Sequence, residues 1–130
     1  MTDAVAVVTD LIFSTKIVGT ARALGIDAQA VTTVEALEKQ LAEGGVRLVM
    51  VDMSLPGDTA VRSLRQGAAH PTTPTMLAFY SHVQHELLAS AEAAGATLTM
   101  PRSKFSAELP AILKRFCSIS SDTSRPEGQP

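Results

Sequence analysis

The sequence predicts one α/β domain, a doubly wound parallel sheet with helices packed against it. Two patterns lead to this fold class. Short apolar runs without polar alternation are typical of strands that are buried on both faces. Segments whose apolar residues recur three and four positions apart are typical of helices. Because five predicted strands alternate with five predicted helices, we expect right-handed crossovers between parallel strands.

The predicted strands are residues 4–8, 27–31, 48–51, 75–80 and 96–100, and the second of them, which contains Asp27 and Gln29, is a weak one. Each predicted helix has an apolar side and a recognisable start or stop: residues 14–24, from Thr32 to Gly44, from Asp58 to Gly67, 82–94 and 106–116. Ser14 and Thr15 are expected to satisfy free N–H groups of the first helix. Thr32 and Glu35 have the spacing of a capping box. Pro110 is expected in or just beyond the first turn of the last helix, where its missing N–H costs least.

The composition excludes several classes of function. The 130 residues suit one domain, and 45% hydrophobic with 18% charged residues exclude wholesale disorder. The single cysteine, Cys117, excludes a disulfide framework and fits a reducing cytoplasm, where we expect the protein. A net charge of -2 and the absence of Trp give no reason to expect nucleic acid. No apolar run approaches the ~18 residues of a membrane span.

The domain is expected to comprise residues 1–117, followed by a flexible tail. Residues 118–130 carry one apolar side chain, Ile119. Such a segment cannot bury enough surface to offset the entropy that it would lose on ordering. We therefore expect residues 118–130 to stay unpacked.

Two carboxylates follow predicted strands: Asp10 follows the first strand and Asp52 the third. In parallel sheets the site lies outside the carboxyl ends of the strands, so adjacent first and third strands would bring both side chains into one crevice. Two close carboxylates repel each other unless a cation bridges them, and Mg²⁺ prefers such oxygen ligands. A carboxylate beside that ion can attack phosphorus and form an acyl phosphate. The alternative is that both residues only cap the helix or loop that follows.

Three segments resemble the receiver domains of bacterial two-component response regulators. They are Val8-Thr9-Asp10, the run from Leu48 through Asp52 to Gly57, and Glu92-Ala-Ala-Gly-Ala96. The resemblance covers residues 4–116 in the expected order, and the strand-Asp-Met-x-Leu-Pro-Gly segment is its most specific part. It implies a flavodoxin-like fold with strand order 2-1-3-4-5 and a site where strands one and three meet.

The resemblance also implies roles for the residues at this site. Asp52 matches the phosphoacceptor, and Asp10 matches a direct Mg²⁺ ligand. Asp52 and the backbone carbonyl of Ser54 would complete the metal shell. Pro56 and Gly57 match the turn that shapes the following loop. The implied cofactor is therefore Mg²⁺.

The chain departs from the family pattern after strands one and five. Thr9 stands where a second acid is usual, so we expect the site to hold Mg²⁺ weakly. The family's Thr or Ser after strand four falls at Tyr80 or Ser81, and Ser81 is the candidate because it carries the hydroxyl of that residue type. Met100-Pro101 stands where the family has Lys-Pro after strand five, which leaves Arg102 or Lys104 as the candidates for binding phosphate.

The resemblance implies two-component signalling rather than enzymatic turnover. In the first interpretation, a histidine kinase or phosphotransfer protein phosphorylates Asp52, and the domain then binds an unknown downstream protein. In the second, a degenerate receiver binds its partner without phosphorylation. A flavodoxin-like cofactor binder is the least favoured, because residues 10–15 contain no glycine that could form a phosphate-binding loop. None of these interpretations requires nucleic acid or a membrane, and each is compatible with a homodimer.

Overall fold

A five-stranded parallel sheet forms the centre of the molecule. The structure, a computed structural model, describes residues 2–81 and 85–117. The strands are β1 (Ala4–Val7), β2 (Ala28–Val31), β3 (Leu48–Asp52), β4 (Thr75–Tyr80) and β5 (Leu98–Pro101). Their order is β2-β1-β3-β4-β5, and every neighbouring pair is parallel. The doubly wound fold class and the strand order 2-1-3-4-5 are confirmed.

Within the described ranges, a helix follows each strand. The helices are α1 (Leu11–Ala23), α2 (Val34–Glu43), α3 (Thr59–Ala69), α4 (His85–Ala93) and α5 (Arg102–Cys117). The helix predicted over 82–94 is described only from His85, because residues 82–84 lie outside the described ranges. The predicted tail, 118–130, lies outside them as well. Among the helices that are described, none is long and apolar enough to cross a membrane.

Helix α1 begins earlier than predicted, because Asp10 is its N-cap. Asp10 Oδ1 accepts a hydrogen bond from the Phe13 backbone N–H at 3.0 Å. The hydroxyls of Ser14 and Thr15 donate to the Leu11 carbonyl. The prediction that these hydroxyls satisfy free N–H groups was therefore wrong, since they lie inside the helix and not at its start.

Helix α2 is capped by Thr33 and not by Thr32. The Thr33 hydroxyl accepts a hydrogen bond from the Ala36 backbone N–H at 3.1 Å, and the Thr33 backbone is extended as a cap requires. The capping box predicted from Thr32 and Glu35 was wrong, because the residue three positions after Thr33 is Ala36, whose side chain cannot bond back to the cap. Spacing alone does not decide which of two adjacent threonines takes the cap conformation.

The last strand and helix differ most from the prediction. Strand β5 continues to Pro101, and α5 begins at once with Arg102 and not at Ser106. Pro110 therefore lies well inside α5, where its ring nitrogen has no hydrogen to donate to the Ser106 carbonyl. The earlier start of α5 places Arg102 at the carboxyl end of β5.

The sheet has a separate apolar core on each side. The α1/α5 face is the core beneath those two helices, and it includes Phe13, Phe79 and Phe105. The α2–α4 face is the core beneath the other three helices, and it is built mainly from aliphatic side chains such as Leu37 and Leu64. Successive residues of the central strands alternate between the two cores, as expected for strands buried on both faces.

Candidate functional site

The carboxyl ends of β1 and β3 lie side by side and bring the predicted acidic residues to one edge of the sheet. Val7, the last residue of β1, is in register with Val51, and Asp52 is the last residue of β3. Asp10 follows β1 and caps α1. The strand order changes direction at β1, which is the point where ligands bind in open parallel sheets.

The Asp52 carboxylate is buried and hydrogen-bonded within its own loop. The residue is 4% exposed. Its Oδ1 accepts two hydrogen bonds from Ser54, one from the backbone N–H at 2.9 Å and one from the hydroxyl at 2.6 Å. A buried carboxylate needs such donors, because an unsatisfied one would be costly. The loop that follows β3 therefore supplies the first partners of Asp52.

The Asp10 carboxylate has two partners, one local and one distant. Its Oδ1 caps α1, and its Oδ2 accepts a hydrogen bond from Arg102 Nη2 at 2.7 Å in an ion pair. The hydrogen bond from the Phe13 N–H, together with the one from Arg102, holds the pKa of Asp10 below its ordinary value of 3.8. Asp10 is therefore held in its ionised form, with the positive charge of Arg102 from the same chain beside it.

The Arg102 guanidinium is held by an aromatic ring as well as by Asp10. It lies over the Phe13 ring, 4.2 Å from the ring centroid to the guanidinium carbon. Phe13 in turn packs against Phe79 and Phe105, at centroid distances of 5.4 and 5.8 Å. The contact places the cation over a ring face, where the π-electrons attract it. Arg102 thus connects the edge of the sheet to the α1/α5 face.

The structure distinguishes the two candidates for binding phosphate, because Arg102 pairs with Asp10 and Lys104 does not. Sequence matching put the family's lysine at Met100, but Met100 lies within β5 and Arg102 is the first residue after that strand. Lys104 is exposed, and no hydrogen bond or ion pair within residues 2–81 and 85–117 joins it to Asp10 or Asp52. From the sequence, Arg102 and Lys104 were equally weak candidates, because which of them reaches the site depends on where β5 ends.

Two other predicted residues, Thr9 and Ser81, have no hydrogen bond or ion pair with either carboxylate in the described structure. Thr9 is exposed between β1 and Asp10. Ser81 is exposed and directly follows β4, whose Phe79 is in register with Asp52. Leu11 and Ile12 are 77% and 85% exposed although both are large and apolar, and neither was predicted as a site residue. Both residues directly follow Asp10 in the sequence, and this proximity to a predicted site residue could have identified them.

The arrangement gives a divalent cation a poor fit. Both oxygens of Asp10 have partners, and one of those partners is the positive charge of Arg102. Within the described part of the chain, no group of three or more His, Cys, Asp or Glu residues could hold a metal ion. Asp52 and the Ser54 carbonyl alone would leave a hard cation with few protein ligands.

Comparisons with known proteins point to one fold. No protein-family model matches the chain, and no curated protein matches it significantly. Solved structures do match it. NtrX from Brucella abortus in complex with ADP has a TM-score of 0.74 and 17% identity over 88% of this chain and 27% of that one. A response regulator receiver protein from Burkholderia phymatum has a TM-score of 0.70 and 19% identity over 88% and 94%.

A third structure is a pilus assembly-related protein from Burkholderia pseudomallei. It has a TM-score of 0.68 and 14% identity over 88% of each chain. The chain therefore has the fold of response-regulator receiver domains, and at these identities the likeness is one of fold alone. It spans only 27% of the NtrX chain, so the activity of that whole protein is not transferred.

Proposed function

We propose that this chain is a signalling module of receiver fold that acts by binding another protein and does not depend on phosphorylation of Asp52. One observation carries the proposal: both carboxylates of the site are already engaged within the chain, Asp52 through Oδ1 by Ser54 and Asp10 through both oxygens by the Phe13 N–H and Arg102. A phosphoacceptor site needs carboxylates that are free to collect a cation around the incoming phosphoryl group.

The surface beside the site supports a protein partner. Leu11 and Ile12 are adjacent, large and exposed at the start of α1. Exposed apolar side chains that stand together are characteristic of surfaces covered by another protein. The partner is therefore expected to bring apolar side chains to this end of α1.

A second candidate function is phosphoryl transfer to Asp52 from a histidine kinase or phosphotransfer protein. The position of Asp52, at the end of β3 where the strand order reverses, favours it. In that function, Mg²⁺ would bind Asp10, Asp52 and the Ser54 carbonyl, and Arg102 would turn from Asp10 to the phosphoryl oxygens. The domain would then signal by binding a downstream protein.

One NMR experiment separates the two functions. Amide spectra are recorded with beryllofluoride, a phosphoryl analogue, and with acetyl phosphate, each at millimolar Mg²⁺. The proposal expects no change at residues 52–54 or 79–81 in the wild type. The matched control is Asp52→Ala, which lacks the acceptor oxygen and shows any effect of the reagents that does not involve it.

Shifts at these amides that disappear in Asp52→Ala would overturn the proposal and establish the phosphoacceptor. Intact mass after acetyl phosphate treatment gives an independent readout. An unchanged mass supports the proposal, and the gain of one phosphoryl group in the wild type alone contradicts it.

A further inference from the structure

We infer that the Arg102 guanidinium takes the place of a divalent cation at Asp10, so that this edge of the sheet carries its positive charge within the chain and does not bind Mg²⁺. The inference deepens the proposed function and rests on it in one respect, the idea that the site works without phosphoryl chemistry. It concerns metal binding, however, and metal binding is measured without any phosphoryl analogue.

The geometry of the ion pair gives the first argument. Arg102 Nη2 lies 2.7 Å from Asp10 Oδ2, while Oδ1 of the same carboxylate accepts the Phe13 N–H. Both oxygens are thus engaged. An approaching metal ion would have to displace the guanidinium, or share the carboxylate with it at a distance where two positive charges repel each other.

The support behind Arg102 gives the second argument. Its side chain is 29% exposed, and its guanidinium lies over the Phe13 ring. Phe13 itself packs against both Phe79 and Phe105. Because the ring holds the guanidinium near Asp10, the ion pair loses less side-chain entropy on forming than a pair between two free surface chains would. The cation is therefore a built-in part of the site.

The number of remaining ligands gives the third argument. Asp52 is buried, and its Oδ1 already accepts two hydrogen bonds. Thr9 supplies no charge where an additional acid would strengthen a metal site. Mg²⁺ gives up its hydration water reluctantly and needs anionic ligands to repay that cost. Removing Arg102 would free one carboxylate, and that change should create a measurable affinity for metal.

The experiment measures metal binding directly. Mn²⁺ is titrated into the ¹⁵N-labelled protein, and the selective broadening of amide signals near the site, such as those of residues 9–13 and 52–54, gives an apparent Kd. Wild type is compared with Arg102→Gln. The matched control is Lys104→Gln, which makes the same change in charge at an exposed position two residues along α5. Mg²⁺ then competes for the Mn²⁺-loaded site to show that the same ligands serve both ions.

We expect Arg102→Gln to bind Mn²⁺ at least about tenfold more tightly than wild type, a difference of about 1.4 kcal/mol. Lys104→Gln should behave like wild type, and adding Asp10→Asn to Arg102→Gln should abolish the gain. Equal affinity in wild type and Arg102→Gln overturns the inference. The wild-type titration decides by itself if the variant does not fold: site-selective broadening at micromolar Mn²⁺ would contradict the inference, and none at millimolar Mn²⁺ supports it.

The two proposals fail in different ways. A wild type that binds metal at the site but ignores beryllofluoride would overturn only the inference about Arg102. A wild type that ignores metal but becomes phosphorylated on Asp52 would overturn only the proposed function.

Discussion

The two faces of the sheet solve the same packing problem with different side chains. On the α1/α5 face, Phe79 and Phe105 stack with their ring centroids 4.4 Å apart, and Phe13 leans against both. The α2–α4 face has no comparable ring cluster among its described core residues and is packed by aliphatic side chains. The turn after α4 comes close to α3 where glycine leaves room, at Gly95, where an added Cβ would lie 2.4 Å from the Ala68 Cβ.

This difference indicates that the α1/α5 face, and not the α2–α4 face, positions the cation at Asp10. The Arg102 guanidinium lies over the Phe13 ring of the α1/α5 face, and from there it pairs with Asp10. The α2–α4 face contributes to the edge through residues that follow β3, such as Met53 and Leu55. A change in the rings should therefore alter the ion pair, whereas an equally destabilising change in the opposite core should not.

The largest expected effect comes from Phe79→Ala. Phe79 is fully buried and contacts both other rings of the cluster. Its removal leaves a cavity and loses an aromatic contact, so we expect the free energy of unfolding to fall by about 3–5 kcal/mol, measured by urea denaturation. In the folded variant, the Arg102 Nε–H signal should also shift, because Phe13 loses its support.

Leu64→Ala is the matched change on the α2–α4 face, where Leu64 is likewise fully buried. We expect it to cost about 2–5 kcal/mol as well. The Arg102 signal should stay in place. If Leu64→Ala moves that signal as far as Phe79→Ala does, the ion pair responds to global stability and not to the rings, and the comparison between the faces fails.

Gly95→Ala tests the close approach on the α2–α4 face and has the next largest effect. Gly95 has a φ of +113°, which L-residues with a side chain rarely adopt, and the new Cβ would collide with Ala68. We expect a loss of about 1–3 kcal/mol in the free energy of unfolding. The measurement is the urea midpoint with an unchanged slope.

The control for this glycine lies on the other side of the molecule. Gly19 is inside α1, and a Cβ there would meet no atom within 4 Å. Gly19→Ala should therefore stabilise the protein by about 0.5–1 kcal/mol, because alanine is the better helix former. A loss of stability at Gly19, or no loss at Gly95, would contradict the view that close packing needs a glycine at Gly95 and not at Gly19.

The predictability of the fold follows from the range of the interactions involved. The strand at residues 75–80 was predicted with its observed bounds, because an unbroken apolar run between a proline-rich loop and a polar segment is a local signal. The end of β5 and the start of α5 were not. A proline normally ends a strand, but β5 lies at the edge of the sheet, where Pro101 can be accommodated, and no local signal shows that position. The predicted start of α5 was therefore four residues too late.

The same distinction separates the two carboxylates of the site. The partners of Asp52 lie two residues away in Ser54, and an Asp after a strand commonly accepts such hydrogen bonds from the loop that follows it. The distant partner of Asp10 is separated from it by 92 residues. Neither composition nor spacing indicates such a pair. It depends on β1 and β5 ending at the same edge of the sheet, and on the Phe13 ring that supports the Arg102 guanidinium.

The smallest expected effect is the pH dependence that Asp10 contributes, and it tests whether the exposed end of the α1/α5 face stabilises the fold at all. The hydrogen bond from the Phe13 N–H and the one from Arg102 lower the pKa of Asp10 in the folded protein below its ordinary value of 3.8. The unfolded chain therefore takes up this proton first as the pH falls. The contribution of Asp10 to stability should be complete at neutral pH, and it should decline below about pH 4 and disappear as the pH passes the lowered pKa.

This contribution is measured as the difference in the free energy of unfolding between wild type and Asp10→Asn, determined by urea denaturation from pH 7 to about pH 3. Asn is the control residue because it keeps the ability to cap α1. Since the side chain is 43% exposed, the difference should be small and should shrink further in Arg102→Gln. A difference that grows towards low pH would show that the charge on Asp10 destabilises the fold and that Arg102 does not compensate it.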